Sequence, residues 1–299
     1  MDLNRRNFIG LGLGAAGAAL GGCAGLPAAP RSRSDYRGNE VGCITYSFRS
    51  MPDPTKAENV VKWAVESGLG TLELKGEVVD AFVGTGAKRD LARLPVLKRM
   101  FDDAGVSIHI VKYGGIGGTN VREDEYRVAA AKALGARCIT REIPKPQEYE
   151  TTGRRCAALA DRTGVLIAFH NHMQIDALTY DGPLLGYSPN LRINLDIGHY
   201  TAAMTDDRVR YIDPLAMVEK YHDRIFSIHL KDRTTKAHGS KNLPFGQGDT
   251  PLKDLFPFLQ RKGWGIHCDI ELEYGIPKGS DAVREVARCN AFCRAAAGC

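Results

Sequence analysis

Imidazole and carboxylate side chains recur at the ends of four apolar segments in the second half of the chain. Residues 165–172 read VLIAFHNH, and three later segments read LRINLDIGH (191–199), IFSIHLKD (225–232) and GIHCDIELE (265–273). A short apolar run that follows a glycine is typical of a buried parallel strand. Imidazole nitrogens combined with carboxylate oxygens suit Mn, Zn, Fe or Co better than Ca or Mg. The pattern predicts one divalent metal ion with four ligands, His170, Asp196, His229 and Glu271.

Alternation along the last segment indicates which side chains face inward. His267, Asp269, Glu271 and Glu273 share one strand face, and the residues between them are apolar or cysteine. The apolar face must pack on helices. The polar face is therefore expected to line the lumen or the mouth of a closed sheet.

These segments belong to an alternation of strands and helices that begins at Val41. Apolar and β-branched runs predict eight strands, at 41–47, 71–76, 106–113, 136–142, 165–172, 191–199, 225–232 and 265–273. Helical periodicity predicts helices at 56–67, 88–104, 123–134, 147–163, 213–222, 251–262 and 281–297, with one or two turns inside 181–190.

Eight such units over residues 41–299 predict a single α/β domain, a (β/α)8 TIM barrel, which typically needs roughly 250 residues. An open doubly wound sheet is the rival. It is disfavoured because no glycine-rich dinucleotide fingerprint follows the first strand. Catalytic groups gather where barrel strands end, so the predicted ligands would meet at one face.

Bulk properties exclude few functions. The chain has 299 residues, of which 43% are hydrophobic and 25% charged, which allows a sizeable core. The net charge of +5 is spread along the chain without a long Lys/Arg block. A nucleic-acid partner is therefore not expected.

The amino terminus has the features of an export signal. Arg5 and Arg6 precede an aromatic and an aliphatic residue, and a Gly/Ala/Leu run extends from Leu11 to Gly22. Residues 1–22 therefore resemble a twin-arginine (Tat) signal peptide. The run is too short and glycine-rich to be a good membrane span.

Cys23 follows Leu20-Gly21-Gly22, which resembles a bacterial lipobox. The expectation is a periplasmic protein exported by the Tat route and held to the membrane only by a lipid on Cys23. Residues 23–40 would then be a lipidated, flexible tether. Cleavage near Ala28 or Ala29, which would release a soluble periplasmic protein, is the alternative. A homo-oligomer is left open.

The motifs FHNH, LDIGH, IHLKD and IELE, in this order, resemble those of the sugar phosphate isomerase/epimerase family of xylose isomerase-like barrels. The resemblance extends from Val41 to Ala297. It implies a TIM barrel with one divalent metal at its mouth, held by residues at the ends of strands five to eight. Those positions correspond to the same four predicted ligands. Gly246-Gln247-Gly248 also resembles the family's Gly-acid-Gly loop, with Gln in place of the acid.

One position departs from the family pattern. Ketose epimerases of the family usually have a glutamate where this chain has His170, and they move protons between that glutamate and the one on strand eight. The two-glutamate mechanism therefore cannot be transferred whole. Glu142 or His172 could supply the second acid/base group. Alternatively, Glu142 forms only a salt bridge and His172 only orients its neighbours.

The resemblance implies a metal-dependent sugar isomerase or epimerase that removes a proton next to a carbonyl and passes through an enediolate. The expected acid/base residues are Glu271, Glu142 and His172. The expected substrate-binding residues are His199, Lys231, Lys112 and Asn171.

Three alternatives stay open at this point. The same intermediate could lose a β-substituent, which would make the protein a lyase or dehydratase acting on keto-sugars or 3-keto-glycosides. A related barrel family contains phosphoester-cleaving endonucleases, but these need more metal ligands and a basic surface. The protein could also be a lipoprotein that binds a carbohydrate without converting it.

Overall fold

Eight parallel strands form the centre of the computed structural model, which describes residues 32–181 and 183–299. Their bounds are β1 Asn39–Cys43, β2 Thr71–Lys75, β3 Ser107–Lys112, β4 Cys138–Glu142, β5 Leu166–His170, β6 Leu191–Asp196, β7 Ile225–Leu230 and β8 His267–Ile270. Consecutive strands from β2 to β8 are paired, and β8 also pairs with β1. A single parallel bridge between Ile44 and Glu73 joins the β1 and β2 segments. The predicted TIM-barrel fold is confirmed.

The helices lie between the strands in the order expected of βα units. Their bounds are α1 Ala57–Glu66, α2 Gly76–Val83, α3 Leu94–Asp103, α4 Val121–Ala133, α5 Tyr149–Thr163, α6 Pro183–Gly186, α7 Ile197–Ala203, α8 Pro214–Tyr221, α9 Leu252–Lys262 and α10 Ala282–Ala296. Their apolar faces pack on the outward side chains of the strands in one hydrophobic core. Gly164 ends α5 in the left-handed conformation, at φ 72°, which returns the chain directly into β5.

Several predicted elements were wrong in extent. The strand predicted over 41–47 is Asn39–Cys43, and the one predicted over 265–273 is His267–Ile270. The strand predicted to reach His199 ends at Asp196, because the Asp196 carboxylate accepts a hydrogen bond from the His199 backbone N–H and caps α7. The helix predicted over 88–104 is shorter and begins at Leu94, with a proline in its first turn. The residues before it form two short 3-10 turns, Gly86–Lys88 and Leu91–Arg93. A helix that the sequence did not predict, α2, starts directly after β2 at Gly76. A side chain at this position would strike the Tyr113 ring, since a Cβ would lie 2.1 Å from it.

The barrel domain begins before the predicted boundary at Val41. Asp35–Tyr36 pairs antiparallel with the first residues of β1, and Tyr36 is buried. Its hydroxyl donates a hydrogen bond to Asn290 in α10. The last part of the predicted tether therefore belongs to the fold. The predicted signal peptide and Cys23 lie outside the described residues.

Helices in the part of the chain that the structure describes do not combine the length and apolarity needed to cross a bilayer. The seven cysteines described there are all free thiols, and six of them are buried.

Candidate active site

Four side chains from successive strands converge at the carboxyl end of the barrel. His170 and Asp196 are the last residues of β5 and β6, His229 is the penultimate residue of β7, and Glu271 directly follows β8. One ligand atom from each lies within 4.8 Å of the other three, and all four residues are buried. The structure thus brings together the four side chains that the sequence predicts as metal ligands.

Hydrogen bonds fix the orientation of His170. Its Nδ1 lies 2.6 Å from Asn194 Oδ1, and the Asn194 amide in turn donates to Ser227 Oγ. Because the Asn194 oxygen can only accept, Nδ1 carries the proton and Nε2 keeps its lone pair. Burial, with Lys112 and His229 nearby, holds the pKa of His170 well below its ordinary value. The ring is therefore neutral, as a metal ligand must be.

His229 has a carboxylate at each ring nitrogen. Its Nε2 lies 2.9 Å from Glu73 Oε2, and its Nδ1 lies 3.0 Å from Glu271 Oε2. Burial alone would lower the pKa of His229, but the two carboxylates raise it to about 10. If Nε2–H donates to Glu73, then Nδ1 is left to bind an ion that Glu271 also binds.

Asp196 uses its two oxygens differently. Oδ1 accepts the capping hydrogen bond from His199 at 2.6 Å. Oδ2 is buried and accepts no hydrogen bond of good geometry from the described residues, although Lys231 Nζ lies 3.0 Å away. Burial raises the pKa of Asp196 to about 6. A buried carboxylate oxygen that accepts no well-directed hydrogen bond, next to two imidazoles and Glu271, fits the ligand set of a divalent transition metal.

Lys231 lies beside this group. Its ammonium is 3.1 Å from Glu271 Oε2 and 2.8 Å from Glu273 Oε2, in addition to its contact with Asp196. The Lys231 side chain is almost fully buried, and the three carboxylates raise its pKa despite the opposing effect of burial. Burial alone would raise the pKa of Glu271, but Lys231 and His229 hold it well below the ordinary value. Glu271 is therefore ionised.

His199 lies between two cations. Its Nε2 is 2.8 Å from Lys231 Nζ, and its Nδ1 is 2.6 Å from Arg233 Nη1. Burial and Lys231 lower the pKa of His199 to about 3, so the ring is neutral. A neutral imidazole has a single lone pair, so it can accept from only one of the two cations. The ring N–H then faces the other cation, so only one of the two contacts is a hydrogen bond.

The predicted acid/base residues Glu142 and His172 lie at the rim. Their side chains are 38% and 53% exposed, and His172 Nε2 is 3.4 Å from Glu142 Oε2. Lys112 Nζ lies 2.9 Å from the other Glu142 oxygen. Burial acts to lower the pKa of Lys112, but nearby carboxylates, Glu142 first among them, raise it. Glu142 thus forms the salt bridge that was one alternative for it. It also lies at the mouth, as the alternative acid/base role requires.

Asn171 has a different role from the one predicted. Its side chain is fully buried, accepts from the Asp196 backbone N–H and donates to the Asp196 and His172 carbonyls. An amide with these partners links the ends of β5 and β6 and cannot reach a substrate. Asp232 is also structural, because its Oδ2 accepts the backbone N–H groups of Gly246, Gln247 and Gly248.

Three residues of the site were missed by the sequence reasoning: Glu73, Asn194 and Arg233. Glu73 and Asn194 lie inside strands, whereas the predicted site residues come from strand ends. The available signal was alternation, which places Glu73 on the same face as Lys75 and Asn194 on the same face as Asp196. Arg233 directly follows the IHLKD motif, which ends at Asp232 and does not include it.

Solved structures of low sequence identity share this fold. A probable 3-DHS dehydratase of petrobactin synthesis from Bacillus anthracis is 16% identical, with 84% of this chain and 97% of that chain covered and a TM-score of 0.63. A sugar phosphate isomerase/epimerase from Parabacteroides distasonis is 20% identical, with coverages of 86% and 94% and a TM-score of 0.59. D-psicose 3-epimerase from Clostridium cellulolyticum is 14% identical, with coverages of 87% and 99% and a TM-score of 0.61.

Comparison with curated proteins finds no match. A model of the xylose isomerase-like TIM barrel family matches residues 61–291, well over half of the chain. The chain therefore belongs to the xylose isomerase-like TIM barrel family.

Proposed function

We propose that this protein is a divalent-metal-dependent sugar isomerase or epimerase that acts by removing a proton next to a carbonyl group. The observation that carries the proposal is the convergence of two imidazoles and two carboxylates, from four successive strands, within 4.8 Å at the barrel mouth. Mn, Zn, Co and Fe all accept this mixture of nitrogen and oxygen ligands. The names of two structural neighbours, a sugar phosphate isomerase/epimerase and D-psicose 3-epimerase, agree with a sugar substrate.

His170, Asp196, His229 and Glu271 would hold the ion. When bound, a divalent ion polarises a substrate carbonyl and stabilises negative charge that develops on its oxygen. The protein groups around it supply the rest of the chemistry. Lys231 directs its ammonium at Asp196, Glu271 and Glu273 and so holds the ligand group in place. His199, whose side chain is 12% exposed, lies beside the ligands and can hydrogen-bond a hydroxyl group of a sugar.

The exposure of the carboxylates favours Glu142 as the proton acceptor. Glu271 is only 6% exposed and is bonded to His229 and Lys231, so it is occupied as a ligand. Glu142 is 38% exposed and faces His172, which is 53% exposed. In this proposal Glu142 removes the proton, and His172, within reach of it, returns a proton to the neighbouring carbon or oxygen.

A lyase or dehydratase is the second candidate, and two observations favour it. First, His170 occupies the position of the second glutamate of an epimerase and is a predicted metal ligand, so it cannot take over proton transfer. Second, Glu142 and His172 form one pair on one side of the mouth. Elimination needs one base and one acid for the leaving group, whereas epimerisation needs proton transfer on both faces. The fold is also shared with a probable 3-DHS dehydratase.

An exchange experiment in D2O tests the proposal. Purified protein would be loaded with Mn²⁺, Zn²⁺ or Co²⁺ and incubated with ketoses, aldoses and 3-keto-glycosides. NMR should show deuterium entering the carbon next to the carbonyl. A new epimer or isomer supports the first candidate, and an unsaturated or cleaved product supports the second. A protein that binds a sugar with no exchange under any metal would be the non-catalytic carbohydrate-binding lipoprotein instead.

We also propose that the chain is exported by the Tat route and anchored to the membrane by a lipid on Cys23. The support is the sequence alone, that is, the arginine pair and the lipobox-like segment before Cys23. Fractionation of cells that produce the wild type or Cys23→Ala tests this. Release of the variant from membranes is expected, and an unchanged distribution would contradict the anchor.

A further inference from the structure

The floor of the barrel holds a second cluster of ligand-type side chains. His109 in β3 and His267 and Asp269 in β8 each offer an atom within 4.8 Å of the other two. His267 is the first residue of β8, whereas Glu271 follows its last residue. The cluster therefore lies nearer the amino end of the lumen than the mouth site does, and Asp269 also comes within 4.8 Å of Glu73 and His229. Strands β3 and β8 are not neighbours in the sheet, so the contact crosses the lumen.

Both imidazoles present the same ring nitrogen to the Asp269 carboxylate. His109 Nε2 lies 3.0 Å from Oδ2, and His267 Nε2 lies 3.6 Å from Oδ1. The two rings are stacked, with centroids 3.4 Å apart. A separation of 3.6 Å is too long for a hydrogen bond. It is close to the distance of about 3.4 Å between two ligands of a tetrahedral ion with bonds of about 2.1 Å.

The opposite nitrogen of each ring has a partner of its own. His109 Nδ1 lies 3.0 Å from the hydroxyl of Thr71, and His267 Nδ1 lies 3.5 Å from a carboxylate oxygen of Glu40. A metal-bound histidine characteristically donates its second N–H to a carboxylate or another oxygen, which fixes the tautomer and the ring orientation. His109 has such a hydrogen-bond partner in Thr71, whereas the contact of His267 with Glu40 at 3.5 Å is an ion-pair distance. In both rings the nitrogen that remains is the one facing Asp269.

Two atoms of the cluster lack partners. Asp269 is fully buried, and neither its Oδ1 nor His267 Nε2 has a hydrogen-bond partner among the described residues. Both atoms converge on Gly42. A Cβ at this glycine would lie 2.5 Å from Asp269 Oδ1 and 3.1 Å from His267 Nε2. Buried polar atoms are normally satisfied, so an unsatisfied carboxylate oxygen beside an unsatisfied imidazole nitrogen points to a ligand between them.

We propose that His109, His267 and Asp269 form a second divalent-metal site at the barrel floor. Two imidazoles and one carboxylate suit Zn²⁺, Co²⁺ or Fe²⁺. The His109 and His267 side chains are 13% and 12% exposed, so an ion can reach them from the floor. The ion would join β3 to β8 across the lumen, which is a structural role. This site does not depend on the proposed reaction at the mouth.

Metal counting on the full chain tests the proposal. Wild-type protein would be loaded with Zn²⁺, freed of excess metal by desalting and analysed for zinc per chain. Two equivalents are expected. His267→Gln should lose one equivalent, Asp196→Asn should lose the other, and the double variant should retain none. His238→Gln is the matched control, because His238 is exposed and pairs with Asp249, outside both clusters. It should retain two equivalents.

The His267→Gln and Asp196→Asn variants test the two sites separately. Retention of zinc by His267→Gln at the wild-type level would overturn the floor site, whatever Asp196→Asn does. If His267→Gln fails to fold, anomalous scattering at the zinc edge from wild-type crystals decides the matter. A peak bounded by His109, His267 and Asp269 supports the site. Density for a water there, without an anomalous signal, overturns it.

Discussion

Glu73 and His229 face each other across the barrel lumen, with Glu73 Oε2 2.9 Å from His229 Nε2 and neither side chain exposed to solvent. Glu73 is held in turn by the Thr140 hydroxyl, which donates to its other oxygen at 2.7 Å. This arrangement fixes the imidazole so that Nδ1 points toward Glu271. A residue in the middle of β2 therefore orients a predicted metal ligand on β7.

Substitution of Glu73 should weaken metal binding without removing a ligand. In Glu73→Gln the amide oxygen can still accept a hydrogen bond from Nε2–H of His229. The negative charge that makes the imidazole a stronger ligand for the metal is lost. We expect metal affinity to fall about tenfold. Competition with a chromophoric chelator measures it. Glu66→Gln, at an exposed position on α1, serves as the control and should bind like the wild type. Equal affinities for the two variants would contradict the orienting role.

Asp196 has two functions that two substitutions can separate. Asparagine is as good an N-cap as aspartate, so Asp196→Asn should lose the metal and turnover while its metal-free form is as stable as the metal-free wild type. Asp196→Ala should lose both the metal and the cap of α7, and be less stable by about 1 kcal/mol. Urea unfolding of metal-free proteins measures the difference. A metal-bound, fully active Asp196→Asn would end the assignment of Asp196 as a ligand.

Removal of the acid/base groups at the rim should affect rate and leave the metal in place. Glu142→Gln and His172→Gln are each expected to lower kcat by about 10²- to 10⁴-fold, the usual contribution of a positioned proton donor or acceptor. Metal content and substrate affinity should change little, because neither residue is a predicted ligand. If Glu142 only pairs with Lys112, then Glu142→Gln would retain its rate and lose some stability instead.

Metal affinity should fall as pH falls, with a slope that changes near pH 6. In the metal-free protein Glu73 and Glu271 raise the pKa of His229 to about 10, so below pH 10 an ion must displace one proton from that ring. Burial raises the pKa of Asp196 to about 6, so below pH 6 a second proton must leave. Metal affinity should therefore fall about tenfold for each unit by which the pH is lowered from 10 to 6, and more steeply below pH 6.

Proton release measured by calorimetry in buffers of different ionisation enthalpy checks this prediction. About one proton per ion is expected at pH 7.5 and a larger number at pH 5.5. Release that does not depend on pH across this range would show that His229 and Asp196 are not both ligands. Asp196→Asn offers a further control, because its residual binding, if any, should show no increase below pH 6.

The sequence by itself determined the barrel and the types of groups at its mouth. Apolar runs punctuated by glycines predict the eight strands, since each run is long enough for one buried strand and ends in polar residues. The same punctuation places His170, Asp196, His229 and Glu271 at strand ends, and parallel strand ends in a barrel must meet at one face. Strand alternation also puts His267 and Asp269 on the lumen side of β8.

Only the tertiary structure decided which side chains meet across the lumen. Strand alternation indicates that Glu73 and His109 face inward. Their partners, His229 and Asp269, lie on strands that are not adjacent to β2 and β3 in the sheet. Such pairing depends on the tilt and stagger with which the strands close, and the periodicity of a single strand contains no information about either. For the same reason the sequence could not show that Asn171 is turned onto the backbone of β6.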